Sequence, residues 1–271
     1  MSAFGRPAAE PYEVFAVKYA HHERNASANF LGGDPHDGPM PLDFYVWLVR
    51  GNGRLVVVDL GFNAATAKAR QRELIRNPVD GLRLLEVDAA TVPDVVLTHL
   101  HYDHVGNCEL FPKANFHLQD KEMAYATGRH MAQACFGQAY GVEDVVGLVR
   151  AAYKGRVAFH DGDEEIGPGL SLHHIGGHTM GLQAVRVWTK RGWVVLASDA
   201  AHLYANMEEQ RPFPIVYHVG EMIEGWRRLQ QLADSPRHII PGHDPLVLRR
   251  YPPPAPQLEG IAARLDVEPR E

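Results

Sequence analysis

The stretch that most limits what this chain can become is Thr98-His99-Leu100-His101-Tyr102-Asp103-His104, directly after the apolar run Asp94-Val95-Val96-Leu97. Three imidazoles and a carboxylate fall where a predicted buried strand ends. On an extended segment residues two apart point the same way, so His99 and His101 face one side together. The chain then turns at Asp103 and His104, which aims that second pair at a neighbouring point. Imidazole and carboxylate suit zinc and other first-row divalent ions, so the loop reads as the seed of two adjacent metal sites.

Three later segments repeat one grammar, an apolar strand followed by a metal-ligand type of residue in a tight turn. They are Ile175-Gly176-Gly177-His178-Thr179-Met180-Gly181, Val194-Val195-Leu196-Ala197-Ser198-Asp199-Ala200 and Ile239-Ile240-Pro241-Gly242-His243-Asp244-Pro245. Small residues beside each ligand let the backbone approach a shared centre. Alone, each His or Asp reads as a hydrogen-bonded structural group; with the first loop they complete a seven-member set.

The rest of the chain supplies a scaffold. Phe44 to Val49 and Leu55 to Asp59 flank Arg50-Gly51-Asn52-Gly53, a hairpin signature with Asn-Gly at the turn. Asn63 can cap a helix running through Ala67 and Leu74 to about Arg76. Further strands are expected at Asn115 to Leu118, Arg156 to Phe159, Leu170 to Ile175, Gln183 to Trp188, Trp193 to Ala197 and His238 to Ile240. A helix is expected over Val219 to Leu232. Residues 120–155 read as a helical insertion beside the active site, their Met and aromatic side chains mainly packing. The Pro-rich tail from about residue 251 reads as wrapping the surface. His21, His22 and His36 read as solvent-exposed. Two groups of strands with helices interspersed suggest two packed sheets with helices outside, in one domain spanning 1–271.

Composition narrows the function. Apolar residues make up 45% and charged residues 22% of 271, ordinary for a globular enzyme. A net charge of −6 argues against nucleic acid, which needs a basic face. Cys108 and Cys135 form no disulfide framework or Cys-x-x-Cys pattern. The segment Met1 to Pro7 lacks an apolar signal region and no span approaches transmembrane length, so a cytoplasmic protein without a membrane partner is expected.

The order His-x-His-x-Asp-His, then His, then Asp, then His resembles the metallo-β-lactamase superfamily over roughly Phe44 to Pro245. The resemblance implies an α/β fold, the αββα sandwich of two mixed sheets flanked by helices. It implies that His99, His101 and His178 hold one metal, that Asp103, His104 and His243 hold the other, and that Asp199 bridges them. Two Zn2+ ions are the implied cofactors, with Fe, Co or Mn as other ions such a site takes. A cation pair of this kind, about 3.5–4 Å apart, yields hydroxide at neutral pH. No Gly-x-Ser-x-Gly elbow offers a protein nucleophile instead.

Within that superfamily Asp199 stands where the lactamases proper usually place Cys or Ser, and His101 where oxygen-reducing diiron members carry Glu. Only 28 residues follow His243, too few for the helical substrate domain of glyoxalase II-type thioesterases. The chain looks most like the N-acyl-homoserine lactonase branch, which implies opening of a γ-lactone by a metal-bridging hydroxide, quorum quenching as the outcome, and assembly as a homodimer. The other reading is a hydrolase of the same fold acting on a different ester, thioester, β-lactam or phosphoester; a metal binder without catalysis is a third. One departure stands out. Lactonases usually place Tyr three residues after the bridging Asp, and here that residue is His202, with Tyr204 two further on. His202 can donate a hydrogen bond to substrate or serve beside the metals. Asp103 can also pass a proton to the leaving group.

Overall fold

A computed structural model describes residues 9–270. The N-terminal segment Met1 to Pro7, read above as lacking a signal region, lies outside the described residues. Among the described residues thirteen strands form two sheets. The first strands are β1 (Glu13–His22), β2 (Leu42–Gly51), β3 (Arg54–Val58), β4 (Glu73–Leu74), β5 (Asp94–Val96), β6 (Asn115–Gln119) and β7 (Val157–His160). They are followed by β8 (Glu164–Gly167), β9 (Leu170–His174), β10 (Gln183–Thr189), β11 (Gly192–Ser198), β12 (Ile239–Pro241) and β13 (Ala262–Arg264). The larger sheet runs β13-β1-β2-β3-β5-β6-β7 with β4 paired to β1, and the smaller runs β12-β11-β10-β9-β8. Both are mixed: β3-β5-β6-β7 and β11-β12 are parallel, the other pairs antiparallel.

Strand alternation builds the layers. Tyr45, Trp47 and Val49 of β2 face the smaller sheet and meet Leu172, Val185, Val187 and Leu196 in one buried cluster. Phe44, Val46 and Leu48 face the other way, into a cluster that includes Leu82 and Leu148 from the outer helices. Because both faces are covered, β2 reads as a nearly continuous apolar run. On the far side of the smaller sheet, Met222, Trp226 and Leu229 of the helix Val219–Leu232 pack on Ala184, Val195 and Ala197. The architecture is therefore helix, sheet, sheet, helix.

The hairpin is as expected: Asn52 (φ 51°) and Gly53 (φ 69°) both adopt the left-handed conformation a two-residue type I′ turn demands. The helix capped by Asn63 is shorter than expected. It covers Ala64–Arg70, ends at Gln71 in the left-handed region, and the chain then forms β4 instead of continuing to Arg76. Pairing of Ala20 and His21 with Leu74 and Glu73 outcompetes the local helical pattern. Between the parallel neighbours β6 and β7 a crossover is obligatory, and helices Asp120–Ala126, Ala134–Gly137 and Val142–Tyr153 supply it.

The tail does more than run over the surface. Ala262–Arg264 pairs antiparallel with β1, Leu265 donates its N–H to the Val14 carbonyl (2.8 Å) and its side chain is fully buried between the sheets. Among the described residues no helix is long and apolar enough to cross a membrane. Leu265→Ala is expected to lower unfolding free energy by about 2–5 kcal/mol, the usual cost of emptying a closed core position. Urea unfolding measures it, and a loss below about 0.5 kcal/mol would show the tail to be dispensable.

Candidate metal centre

Every predicted ligand lies just beyond a strand end on one edge of the sandwich. The loop carrying His99, His101, Asp103 and His104 follows β5, His178 lies in the β9–β10 connection, Asp199 follows β11 and His243 follows β12. Two glycines make the close approach possible. At Gly177 (φ +83°) an added Cβ would sit 2.4 Å from the Met222 backbone nitrogen. At Gly242 it would sit 2.6 Å from Asp199 Oδ1.

All seven side chains come together, each no more than 8% exposed. The ligand atoms of His99, His101, His178 and Asp199 lie within 4.8 Å of one another, as do those of Asp103, His104 and His243. A third group, Asp199, His202 and His243, meets the same limit and joins the first two. His178 Nε2 is 3.0 Å from His101 Nδ1 and 3.3 Å from Asp199 Oδ2, while His243 Nε2 is 3.0 Å and His104 Nε2 3.4 Å from Asp199 Oδ1. A zinc ion about 2.0–2.1 Å from each donor sets neighbouring ligands roughly 3.3 Å apart. The spacing suits a shared cation.

The hydrogen bonds around the ligands point the same way. His178 Nδ1 donates to the Ile215 carbonyl (2.7 Å), His243 Nδ1 to the Asp43 carbonyl (3.0 Å) and His104 Nδ1 to Asp59 Oδ2 (2.7 Å). With the outer nitrogen protonated, Nε2 of each ring turns its lone pair inward. His99 Nε2, His104 Nε2 and Asp199 Oδ1 are buried without a hydrogen-bond partner among the described residues, an expensive state for polar atoms unless an ion satisfies them. Burial pushes the His99 and His101 rings well below the usual imidazole range, which keeps them neutral and able to ligate. Burial opposes charge on Asp199 as well, but His202, His243 and His104 together hold its carboxyl well below the usual range.

His202 lies in the wall of the same cavity. Its Nε2 is 3.0 Å from Asp199 Oδ2, its Nδ1 is buried with no partner among the described residues, and its ring stacks on Phe213 at 3.6 Å and 5°. Burial is the largest influence and pushes the ring down to about 3, against the pull of Asp199. The cavity holds about 210 Å³ and is bounded on its apolar side by Leu42, Phe44, Phe213 and Ile215.

Two supporting carboxylates escaped the sequence reading. Asp59 (φ 59°) accepts from the Thr98 N–H and hydroxyl, both at 2.7 Å, besides His104. Glu122 is fully buried and accepts from Leu100 N–H (3.0 Å), Tyr140 hydroxyl (3.0 Å), Thr179 hydroxyl (2.6 Å) and Gly181 N–H (3.0 Å). It thereby ties the His99–His104 loop to the His178 loop. No spacing marks either residue, and an acid in the first turn of a helix, as Glu122 is, ordinarily answers the helix dipole. Of the three histidines read as exposed, only His36 is; His21 bonds Asp43 at 2.6 Å, and His22 lines the cavity half-buried.

A profile of the metallo-β-lactamase superfamily matches residues 42–246. The chain belongs to the metallo-β-lactamase superfamily. Within it, an N-acyl homoserine lactonase of Rhizobium rhizogenes is 32% identical over 134 residues, 48% of this chain and 48% of that protein, so the chain spans about half the length of that curated relative. A probable metallo-hydrolase of Mycobacterium tuberculosis is 28% identical over 251 residues, 86% of this chain and 76% of that one. Among solved structures, a quorum-quenching N-acyl homoserine lactone lactonase superposes with a TM-score of 0.73 at 20% identity, covering 88% of this chain and 94% of its own. The dizinc quorum-quenching lactonase AidC gives 0.69 at 16%, covering 90% and 91%. At those identities the likeness is one of fold.

Loss of the Asp59 carboxylate should be felt at the metal. Asp59→Asn is expected to weaken binding of zinc by about 10–100-fold while leaving a folded protein, because His104 loses the acceptor that fixes its ring. Competition with a chromogenic chelator measures this; unchanged affinity would remove Asp59 from the support of the centre.

Proposed function

We propose that the chain is a di-metal hydrolase that opens a lactone ring, an N-acyl-homoserine lactone or a related γ-lactone. One observation carries the reading: inward-facing ring nitrogens and carboxylate oxygens from four separate loops meet at the floor of one cavity. We assign His99, His101 and His178 to one divalent ion, Asp103, His104 and His243 to the other, and Asp199 to both. Zinc is the ion we expect, and iron, cobalt or manganese suit the same donors. When bound, such a pair supplies hydroxide at neutral pH and polarises an ester carbonyl.

The chain's own contribution is preorganisation. The ligand rings His104, His178 and His243 are oriented by Asp59 and by the Ile215 and Asp43 carbonyls, so little ordering is left to occur on loading. Phe44, Phe213 and Ile215 shield the reacting ring from bulk water. His202 steadies Asp199 through Nε2 and lines the cavity, where a lactonase usually offers Tyr. Asp103, 8% exposed and lining the cavity, is positioned to take up the proton of the newly formed carboxylic acid and pass it to the departing alkoxide oxygen. A volume of about 210 Å³ lies below the roughly 300–1,000 Å³ of common ligand pockets, which favours a compact ring over a substrate buried whole with a long acyl chain. Relatives named N-acyl homoserine lactonase support the reaction class.

Hydrolysis of γ-butyrolactone and hexanoyl-homoserine lactone is expected to vanish on dialysis against a chelator and to return with zinc or cobalt. Faster turnover of nitrocefin, a glutathione thioester or a phosphodiester would replace the lactonase reading with another hydrolase of this fold. Asp199→Ala should lower metal content and cut kcat by about 100-fold or more. His202→Phe should lower kcat at unchanged metal content; equal activity in that variant would leave His202 a packing residue.

A further inference from the structure

The same cavity carries cations that ring opening does not require. Arg24, Arg70 and Arg72 line it together with His22. All three arginines are half-buried, and none forms an ion pair with a carboxylate among the described residues. Elsewhere Arg50, Arg211, Arg228, Arg264 and Arg270 each meet a carboxylate. The chain is acidic overall, with a net charge of −6, so this group is not the overflow of a basic surface.

Neutral groups hold the three guanidinium planes without cancelling their charge. Arg70 donates to the carbonyls of Gln138 (2.9 Å) and Tyr140 (3.3 Å) and lies 3.9 Å over the Tyr102 ring. Arg72 donates through Nε to the Tyr102 hydroxyl (3.1 Å) and through Nη1 to the Arg70 carbonyl (2.6 Å). Arg24 donates through Nη2 to the Ala28 carbonyl and lies 5.2 Å from the Phe213 ring centre, while its Nε is buried with no partner among the described residues. Asp144 feels the charge of Arg70 but does not pair with it. The groups also feel one another: the His22 ring is pushed down to about 4 by burial, then by Arg72 and Arg24.

Like charges gathered in a half-buried wall repel, and the arrangement becomes favourable when an anion arrives. Guanidinium groups fixed by their other donors are suited to a planar or tetrahedral oxyanion. We propose that Arg24 and Arg72, backed by Arg70, bind an anionic substituent of the substrate, a carboxylate or phosphate carried on the ring that the metal centre opens. The preferred substrate is then an anionic lactone and not a neutral acyl lactone. This rests on the hydrolase reading above and narrows its substrate class.

The test compares 5-oxotetrahydrofuran-2-carboxylate with its carboxamide and with the phosphate ester of 5-(hydroxymethyl)dihydrofuran-2-one, all on the metal-loaded enzyme. At least one anionic lactone is expected to exceed the carboxamide in kcat/KM by about tenfold or more, and the better of the two identifies the anion. Arg24→Gln and Arg72→Gln should each bring that ratio toward one, and Arg72→Lys should recover part of it. A ratio of one or below in the natural sequence would overturn the proposal.

A second readout does not depend on turnover. Calorimetric titration with tetrahydrofuran-2-carboxylate, which has no ester to cleave, should show binding that weakens in both Gln variants at unchanged metal content and circular dichroism. Binding insensitive to both substitutions would put the carboxylate on the metals and sink the proposal. If no lactone is turned over but the titration depends on the arginines, the hydrolase reading fails and the anion site stands.

Discussion

A single buried carboxylate holds the working edge of this fold together. Asp59, at the end of β3, accepts the Thr98 N–H and hydroxyl and the His104 ring, and the Thr98 hydroxyl lies 2.9 Å from that of Ser198 at the end of β11. The larger sheet is thereby tied to the smaller one where the ligand loops leave them. A charge at zero exposure survives only when its lone pairs are filled. Asp59 therefore needs both loops in place, and both loops need Asp59. Its left-handed backbone, shared with Ser198 at φ 46°, is the local strain the site accepts to aim these groups.

The grouping of the candidate ligands was legible in the sequence wherever chemistry and strand ends coincide. His99, His101, Asp103 and His104 announce themselves because four ligand-type residues crowd the end of one apolar run. His178, Asp199 and His243 are readable mainly as completions of that loop. The supporting groups carry no comparable mark. The partners of His178 and His243 are the backbone carbonyls of Ile215 and Asp43, which any residue could supply. Glu122 is an ordinary helix-starting acid until tertiary packing buries it beneath two loops. The fold shows the same division. The apolar runs of β2, β5, β10 and β11 and the Asn-Gly hairpin are local signals. By contrast β4, β8 and β13 are two to four residues long, and β13 follows a proline run. Their existence depends on the edge they pair with, which no local pattern encodes.

The arginines fall on the illegible side for a clear reason. Arg70 sits in the last turn of its helix, where a cation is expected to answer the dipole, and Arg72 follows the left-handed cap at Gln71. In one dimension both look like solvated charges. What changes their meaning is the early end of that helix. By stopping at Arg70 and pairing Glu73 and Leu74 with β1, the chain turns Arg70 and Arg72 back over Tyr102 and into the cavity wall. A helix continued to Arg76 would carry the second arginine around the axis by about 100° per residue. The break that defeats the sequence expectation also forms the cationic wall.

Charge balance gives the wall its significance. Asp103 and Asp199 are the carboxylates of the proposed ligand set and Asp59 stands directly behind His104, so two divalent ions with the hydroxide they supply would be close to balanced at the floor of the cavity. Three arginines without acid partners among the described residues then add unbalanced positive charge around a space of about 210 Å³. Screening does little inside a half-buried pocket, because the ionic atmosphere that limits charge interactions to about 8 Å in physiological salt lies mostly outside it. The acidic exterior offers an anion no long-range attraction, so selectivity for one has to be exerted within the cavity. A neutral lactone would leave that concentration of charge unanswered. An anionic one answers it at the arginine wall while its ring lies beside the ligand set.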